Sequence, residues 1–85
     1  MNIMEKILII DDDPSICESI KMILEYENYI VESASNAMEG IEKIKSNDYK
    51  AILLDIKMPE MDGLEAITKI KEINDAVSII MISAH

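Results

Sequence analysis

The sequence contains no tryptophan, no phenylalanine and no arginine, and its aromatic residues are three tyrosines. It therefore lacks the aromatic surface on which nucleic-acid bases stack. Acidic residues number 17 against eight lysines, which gives a net charge of −9. Because a surface of this sign repels nucleic acids and anionic membranes, we expect this chain to bind neither. Divalent cations, basic partners and partners recruited with the help of a cation are the expected ligands.

Long apolar runs and paired cysteines are missing as well. No apolar stretch approaches the roughly 20 residues of a membrane-spanning helix, and the first residues lack the pattern of an export signal. Cys17 is the one cysteine, so an internal disulfide is excluded and a cytoplasmic location is expected. With 85 residues, of which 49% are hydrophobic, we expect one globular domain spanning 1–85.

Short apolar runs alternate with stretches of helical periodicity. Strands are predicted at 7–10, 29–31, 51–54 and 78–82. Helices are predicted from Pro14 to about Glu27, around 37–44 and from about Leu64. Continuous apolar runs are typical of strands that are buried on both faces of a parallel sheet. The order β-α-β-α-β-α-β therefore predicts an α/β fold, a doubly wound parallel sheet with helices on both faces.

Local signals indicate where the helices begin. Asp13 followed by Pro14 is typical of a helix start, because the acid caps free amides and proline needs no amide hydrogen there. Asp62 is expected to cap the third helix, and Gly40 is expected to weaken the second. Three methionines in these elements are interpreted as packing residues: Met22, Met38 and Met81.

Polar residues follow three of the predicted strands. They are Asp11, Asp12 and Asp13 after the first strand, Asp55 after the third and Ser83 after the fourth. In an open parallel sheet the carboxyl ends of the strands form the binding edge, so these side chains are expected to meet. Clustered carboxylates repel one another unless a cation joins them, and Mg²⁺ prefers oxygen ligands of this kind. A carboxylate beside Mg²⁺ can attack a phosphoryl group.

These segments resemble the response-regulator receiver domain of two-component signalling, the chemotaxis-Y-like family. The stretch 7–14, ILIIDDDP, resembles the family's first strand with its acidic pair. The stretch 53–63, LLDIKMPEMDG, resembles the phospho-acceptor strand and loop, and 79–84, IIMISA, resembles the strand that ends in the switch hydroxyl. The resemblance implies a flavodoxin-like fold and a signalling module that is phosphorylated on aspartate and has no turnover on an external substrate.

The resemblance also implies roles for individual residues. Asp55 would accept a phosphoryl group from a histidine kinase or phosphotransfer protein and form an acyl phosphate. Asp12 and Asp55 would bind Mg²⁺ directly, Asp11 mainly through a water, and Lys57 through its backbone carbonyl. Ser83 would donate its hydroxyl to the phosphoryl group and start the conformational switch. Two side chains would border the site: Lys57 and His85.

The match ends at His85, before the fourth helix, fifth strand and fifth helix that the resemblance implies for a complete receiver. Those elements would supply a lysine that pairs with the phosphoryl group and a helix over part of one sheet face. Without them, we expect apolar side chains of the third and fourth strands to face water and the fourth strand to be an open edge. Exposed apolar patches and bare edges favour association, so a homodimer, a domain-swapped self-association or a poorly folded fragment is expected.

Other interpretations stay open. The acidic run after the first strand could be a solvated turn, and Ser83 could satisfy an amide at the end of its strand. The chain could be a receiver-derived interaction or assembly fragment without phosphotransfer, which predicts association independent of Mg²⁺. A phosphatase with an aspartate nucleophile needs an acid two residues further on, where this chain has Lys57. A dinucleotide-binding unit needs glycines in the first turn, which is acidic here.

Overall fold

The computed structural model describes residues 4–58 and 62–82, and within them four strands alternate with three helices. The strands are β1 (Lys6–Ile10), β2 (Ile30–Ala34), β3 (Ala51–Asp55) and β4 (Ser78–Ile82). The helices are α1 (Pro14–Tyr26), α2 (Ala37–Ser46) and α3 (Gly63–Ile73). This order confirms the predicted alternation. No helix in these ranges is long and apolar enough to cross a membrane.

The strands form one parallel sheet in the order β2-β1-β3-β4. β1 lies inside the sheet and pairs with a neighbour on each side, so that Ile10 is opposite both Ala34 of β2 and Leu54 of β3. Because all strands run in one direction, their carboxyl ends lie at the same edge of the sheet. β4 is an outer strand, and its far edge is unpaired among the described residues.

The larger core lies between the sheet and helices α2 and α3. The strand residues in it are fully buried: Leu8, Ile10, Ile52 and Leu54. Ile44 of α2 and two residues of α3, Ala66 and Ile70, pack against them. The apolar runs that predicted β1 and β3 are thus buried, as strands inside a parallel sheet require.

The opposite face of the sheet is covered less completely. Side chains alternate along a strand, so Ile9, Leu53 and Ile80 share this face. Among the described helices, α1 covers it, packing beside β2 at one side of the sheet. Ile9 on the inner strand is fully buried, whereas Ile80 on β4 is 50% exposed. The β4 side of this face is therefore an open apolar surface, as the sequence predicted.

Both predicted helix caps are present. Asp13 accepts a hydrogen bond from the amide of Ser15 at 2.9 Å, and Asp62 accepts one from the amide of Leu64 at 2.9 Å. Each aspartate therefore satisfies an amide that has no partner within its helix.

Two local predictions were wrong. β2 does not end at residue 31 but continues to Ala34, because parallel pairing with β1 extends it through Glu32 and Ser33. The polar side chains of these two residues concealed the strand from sequence reasoning. The methionines expected to pack are largely exposed: Met22 by 66%, Met38 by 79% and Met81 by 49%.

Gly40 lies where α2 comes closest to β1. A methyl group at this position would lie 2.4 Å from Cδ1 and 2.8 Å from Cγ1 of Ile10, far inside normal carbon–carbon contact. Ile10 is fully buried, so its side chain cannot move without disturbing the packed core. The glycine that the sequence marks as a weak point of α2 therefore allows the helix to approach the sheet.

Replacing Gly40 with alanine is expected to destabilise the protein although alanine is the better helix former. Overpacking costs about 1–3 kcal/mol, which offsets or exceeds the gain of about 1 kcal/mol in helix propensity. Urea denaturation measures the change, with the exposed Ser46→Ala in the same helix as the control. Adding Gly40→Ala to an Ile10→Val background should cost less, because the nearest carbon is gone. A Gly40→Ala protein as stable as the parent would contradict this account.

Candidate functional site

Three carboxylates meet at the carboxyl edge of the sheet. Asp11 and Asp12 directly follow β1, and Asp55 is the last residue of β3. Each offers an oxygen, and these oxygens all lie within 4.8 Å of one another. The strand register explains the contact, because Ile10 pairs with Leu54 and the next residues of the two strands are neighbours. The structure therefore brings together three acids that the sequence pattern assigned to this edge.

The backbone orients two of these acids in the same way. One oxygen of Asp11 accepts a hydrogen bond from the amide of Asp13 at 2.9 Å. One oxygen of Asp55 accepts a hydrogen bond from the amide of Lys57, also at 2.9 Å. Both are turns in which an aspartate bonds the amide two residues further along the chain. Each turn engages one carboxylate oxygen and leaves the second oxygen outside it.

The two oriented carboxylates are buried. Asp11 is 2% exposed and Asp55 is 6% exposed, whereas Asp12 is open to solvent. Burial raises the pKa of Asp11, the neighbouring Asp55 and Asp12 raise it further, and the hydrogen bond from Asp13 lowers it in part. The charged form of Asp11 is therefore disfavoured in the metal-free chain.

One oxygen of this cluster has no partner. Oδ2 of Asp11 is buried and accepts no hydrogen bond from the described part of the chain. The ion pairs found among those residues involve other acids: Glu5, Glu32, Glu42 and Glu65. A buried carboxylate oxygen without a partner costs free energy, and a bound cation would offset that cost. Three carboxylate oxygens around one point fit a hard divalent cation such as Mg²⁺.

Sequence reasoning missed two neighbours of the site. The thiol of Cys17 donates to the backbone carbonyl of Asp11, with 3.6 Å between sulfur and oxygen. Burial raises the pKa of Cys17, and the surrounding aspartates raise it further, so the thiol is held protonated. Because Cys17 lies one helical turn after Asp13, helical geometry could have predicted that it lies near the site. Met58 follows β3 in what the sequence indicates is a loop, yet it is buried in the larger core.

Of the other predicted site residues, the structure describes only some. Lys57 is exposed, and its amide is the group that orients Asp55. Ser83 and His85 lie outside the described residues, as does the segment 59–61 of the acceptor loop. The structure thus assembles the acidic part of the predicted site, and the switch hydroxyl and the site border at residue 85 stay predictions.

Residues 7–85 match the family model of the response regulator receiver domain. The chain is also 43% identical, over 79 residues, to the transcriptional regulatory protein SrrA of Staphylococcus aureus. That alignment covers 93% of this chain and 32% of SrrA, so the chain spans about a third of the regulator's length. The chain therefore belongs to the response regulator receiver domain family of two-component signalling.

Solved receiver structures share the fold. A CheY-like receiver domain from Methanospirillum hungatei is 40% identical with a TM-score of 0.91, over 98% of this chain and 66% of that one. The response regulator TrrA of Thermotoga maritima, in complex with Mg²⁺–BeF, is 36% identical with a TM-score of 0.88, over 96% and 71%. TrrA in its complex with the histidine kinase ThkA is 37% identical with a TM-score of 0.86, and the match covers 95% of this chain and 70% of that one. These similarities confirm the predicted flavodoxin-like receiver fold.

Asp11→Asn tests whether the cluster is strained without a cation and relieved by one. In EDTA the substitution should raise the free energy of unfolding, because the amide keeps the acceptor for Asp13 and removes a charge beside Asp55. In Mg²⁺ the order should reverse, since the parent gains about 1–3 kcal/mol when the ion exceeds its Kd ten- to hundredfold. Urea denaturation in both buffers gives the two values.

The control for this test is Asp75→Asn, at an exposed acid in the turn before β4. It should alter neither the stability in EDTA nor the response to Mg²⁺. The folded-state pKa of Asp11 is raised above 3.8, so its destabilising effect is absent below pH 3.8, grows as the pH rises from 3.8 to the folded-state pKa, and is constant above it. In EDTA, the difference in the free energy of unfolding between the parent and Asp11→Asn should therefore widen as the pH rises over this range. An equal gain in stability from Mg²⁺ in the parent and in Asp11→Asn would contradict the cation site.

Proposed function

We propose that this chain is the phospho-accepting receiver of a two-component phosphorelay, in which Asp55 takes a phosphoryl group from a histidine kinase or a phosphotransfer protein. The observation that carries the proposal is the setting of Asp55. It is buried, it is oriented by the amide of Lys57, and its carboxylate lies within 4.8 Å of those of Asp11 and Asp12. A nucleophile and the ligands of a cation therefore share one cluster.

Mg²⁺ is the cofactor that we propose for this cluster. Asp12 and Asp55 would hold the ion directly, Asp11 would act mainly through a water, and the backbone carbonyl of Lys57 would complete the set. Bound Mg²⁺ supplies positive charge that offsets the negative charge of the phosphoryl oxygens. The buried, unpartnered Oδ2 of Asp11 supports this assignment, and so does the Mg²⁺–BeF complex of the related TrrA.

The proposed reaction transfers one phosphoryl group. A carboxylate oxygen of Asp55 attacks the phosphorus of the kinase's phosphohistidine, the P–N bond breaks, and its electron pair returns to the imidazole. The product is an acyl phosphate on Asp55. Ser83 would then donate its hydroxyl to a phosphoryl oxygen and start the conformational change. The side chains of Lys57 and His85 would border the product and influence how long it survives.

The proposed role is that of a signalling module and not of an enzyme that turns over an external substrate. The complex of TrrA with ThkA supports a histidine kinase as the partner. A cytoplasmic location and the absence of nucleic-acid binding by this chain stay predictions.

Incubation with acetyl phosphate and Mg²⁺ should add the mass of one phosphoryl group to the intact protein. EDTA should abolish the adduct, because the carboxylates would then repel the incoming phosphate. Asp55→Asn should also abolish it, since an amide is not a nucleophile of this kind. Asp48→Asn, at an exposed acid outside the cluster, is the matched control and should be labelled like the parent. Mass spectrometry gives each result, and a label that persists in a folded Asp55→Asn protein would contradict the assignment.

A second candidate function is assembly, and the outer strand favours it. β4 has the sequence SIIMI, without charge or proline, and one edge of it is unpaired among the described residues. Ile80 is 50% exposed on one face and Met81 is 49% exposed on the other. Natural edge strands are commonly protected by charge, proline or a covering element. We therefore propose self-association through β4, as a homodimer or with exchanged segments.

Sedimentation velocity tests this second candidate. The parent should form dimers or larger species as concentration rises, both in EDTA and in Mg²⁺, because the contact is apolar and does not use the carboxylates. Ile80→Lys places a charge on the surface and should shift the protein to monomer, whereas Tyr26→Lys, at an 86% exposed residue ending α1, should not. A parent that stays monomeric at high concentration would contradict self-association.

A further inference from the structure

Helices α2 and α3 lie side by side over the larger core, and an open groove of about 910 Å³ runs between them. One face of each helix forms a wall. The apolar side chains that line it are Ala37, Met38, Ile41, Met58, Ala66 and Ile73. One end of the groove lies near the carboxyl edge of the sheet, where Asp12 contributes to the lining.

The apolar strip is accessible from outside. Met38 is 79% exposed and Ile73 is 37% exposed, while Met58 and Ala66 form a buried base beneath them. Within the described part of the chain, nothing covers Met38, although sequence reasoning expected it to pack. Methionine side chains are flexible and polarisable, so they adapt to the shape of a bound apolar surface.

The charges of the groove are unbalanced. Two lysines line it, and each is paired within its own helix, Lys45 with Glu42 at 3.1 Å and Lys69 with Glu65 at 3.3 Å. Three further acids line it without a lysine partner among the described residues: Asp12, Asp62 and Glu72. An apolar strip within an acidic rim complements a ligand with apolar and basic sides.

We propose that this groove is a docking site for a cationic amphipathic helix of a partner protein. Apolar side chains of that helix pack on Met38 and Ile73, and its lysines or arginines reach Asp62 and Glu72. The walls are helices of 10 and 11 residues, which at 1.5 Å per residue give a groove about 15 Å long. This length suits about three turns of helix, read at intervals of three and four residues.

An extended peptide fits this groove less well than a helix does. A strand needs backbone partners along its length, and those are offered by a sheet edge. The walls here are helices, whose backbone amides and carbonyls already bond within the helix. A helical ligand satisfies its own backbone and needs only side-chain contacts. The ligand class is therefore a basic amphipathic helix, and the groove remains separate from the unpaired edge of β4.

NMR titration of the methyl-labelled 85-residue chain with a synthetic peptide tests the proposal. The probe is a leucine–lysine peptide with helical spacing of its leucines, and its control has the same composition in scrambled order. The titration is run in EDTA at physiological salt, so its outcome does not depend on the cation site. The methyl signals of Met38 and Ile73 should shift saturably with the helical peptide, and the scrambled peptide should bind at least about tenfold more weakly.

Matched variants separate the groove from the acidic surface as a whole. Met38→Lys and Glu72→Lys should each weaken binding about fivefold or more, because each places a positive charge in the groove. Met22→Lys and Glu18→Lys make the same changes at exposed residues of α1 and should leave binding unchanged. All four positions are exposed, and circular dichroism checks that each variant is folded.

Three outcomes would overturn the proposal. The first is equal binding of the helical and scrambled peptides, and the second is an equal loss in the α1 variants; both would mean general attraction to an acidic protein. The third is the absence of shifts at Met38 and Ile73. None of these variants touches Asp55, so phosphorylation by acetyl phosphate can be measured on the same proteins. A failed docking site and a failed phospho-acceptor would therefore be told apart.

Discussion

The parallel pairing of β1 with β3 is the constraint on which the site depends. Ile10 lies opposite Leu54, and the shared strand direction then places Asp11 beside Asp55, far from it in sequence. This register is held by the core, because a slip of one residue would turn the buried side chains of β1 to the other face of the sheet. The apolar contacts that stabilise the sheet therefore also hold two acidic side chains together.

That contact is unfavourable in the metal-free chain. Two unit charges within 4.8 Å would repel by about 3 kcal/mol at an effective dielectric constant of about 20, and this repulsion is one reason why the charged form of Asp11 is disfavoured. Domains of this size are stable by roughly 5–15 kcal/mol in total, so the repulsion is a considerable part. Asp11 adds a buried oxygen without a hydrogen-bond partner in the described part of the chain. Such departures from favourable packing are expected where a ligand completes the structure.

The sequence predicts those parts of the fold and site that depend on neighbours along the chain. β4 was predicted at the residues where it lies, and Asp55 was recognised because it directly follows an apolar run. The misses depend on contacts across the fold. Glu32 belongs to β2 because β1 pairs with it, and the role of Gly40 depends on how closely α2 approaches Ile10. The exposure of Met38 depends on the distance between two helices, which no local pattern encodes.

The opposite end of the sheet shows what the carboxyl edge lacks. Glu32, in the middle of β2, accepts a hydrogen bond from Tyr49 and lies 4.0 Å from the amine of Lys6 at the start of β1. Glu5 pairs with Lys50 at 2.7 Å. Glu5 and Glu32 therefore have lysine partners, whereas the ion pairs of the described residues include none of the three aspartates at the carboxyl edge. The chain has eight lysines, so the three aspartates lack ion-pair partners because of where the lysines lie and not because lysines are few. The chain's own lysines balance Glu5 and Glu32, whereas a cation from outside would offset the charge of the three aspartates at the carboxyl edge.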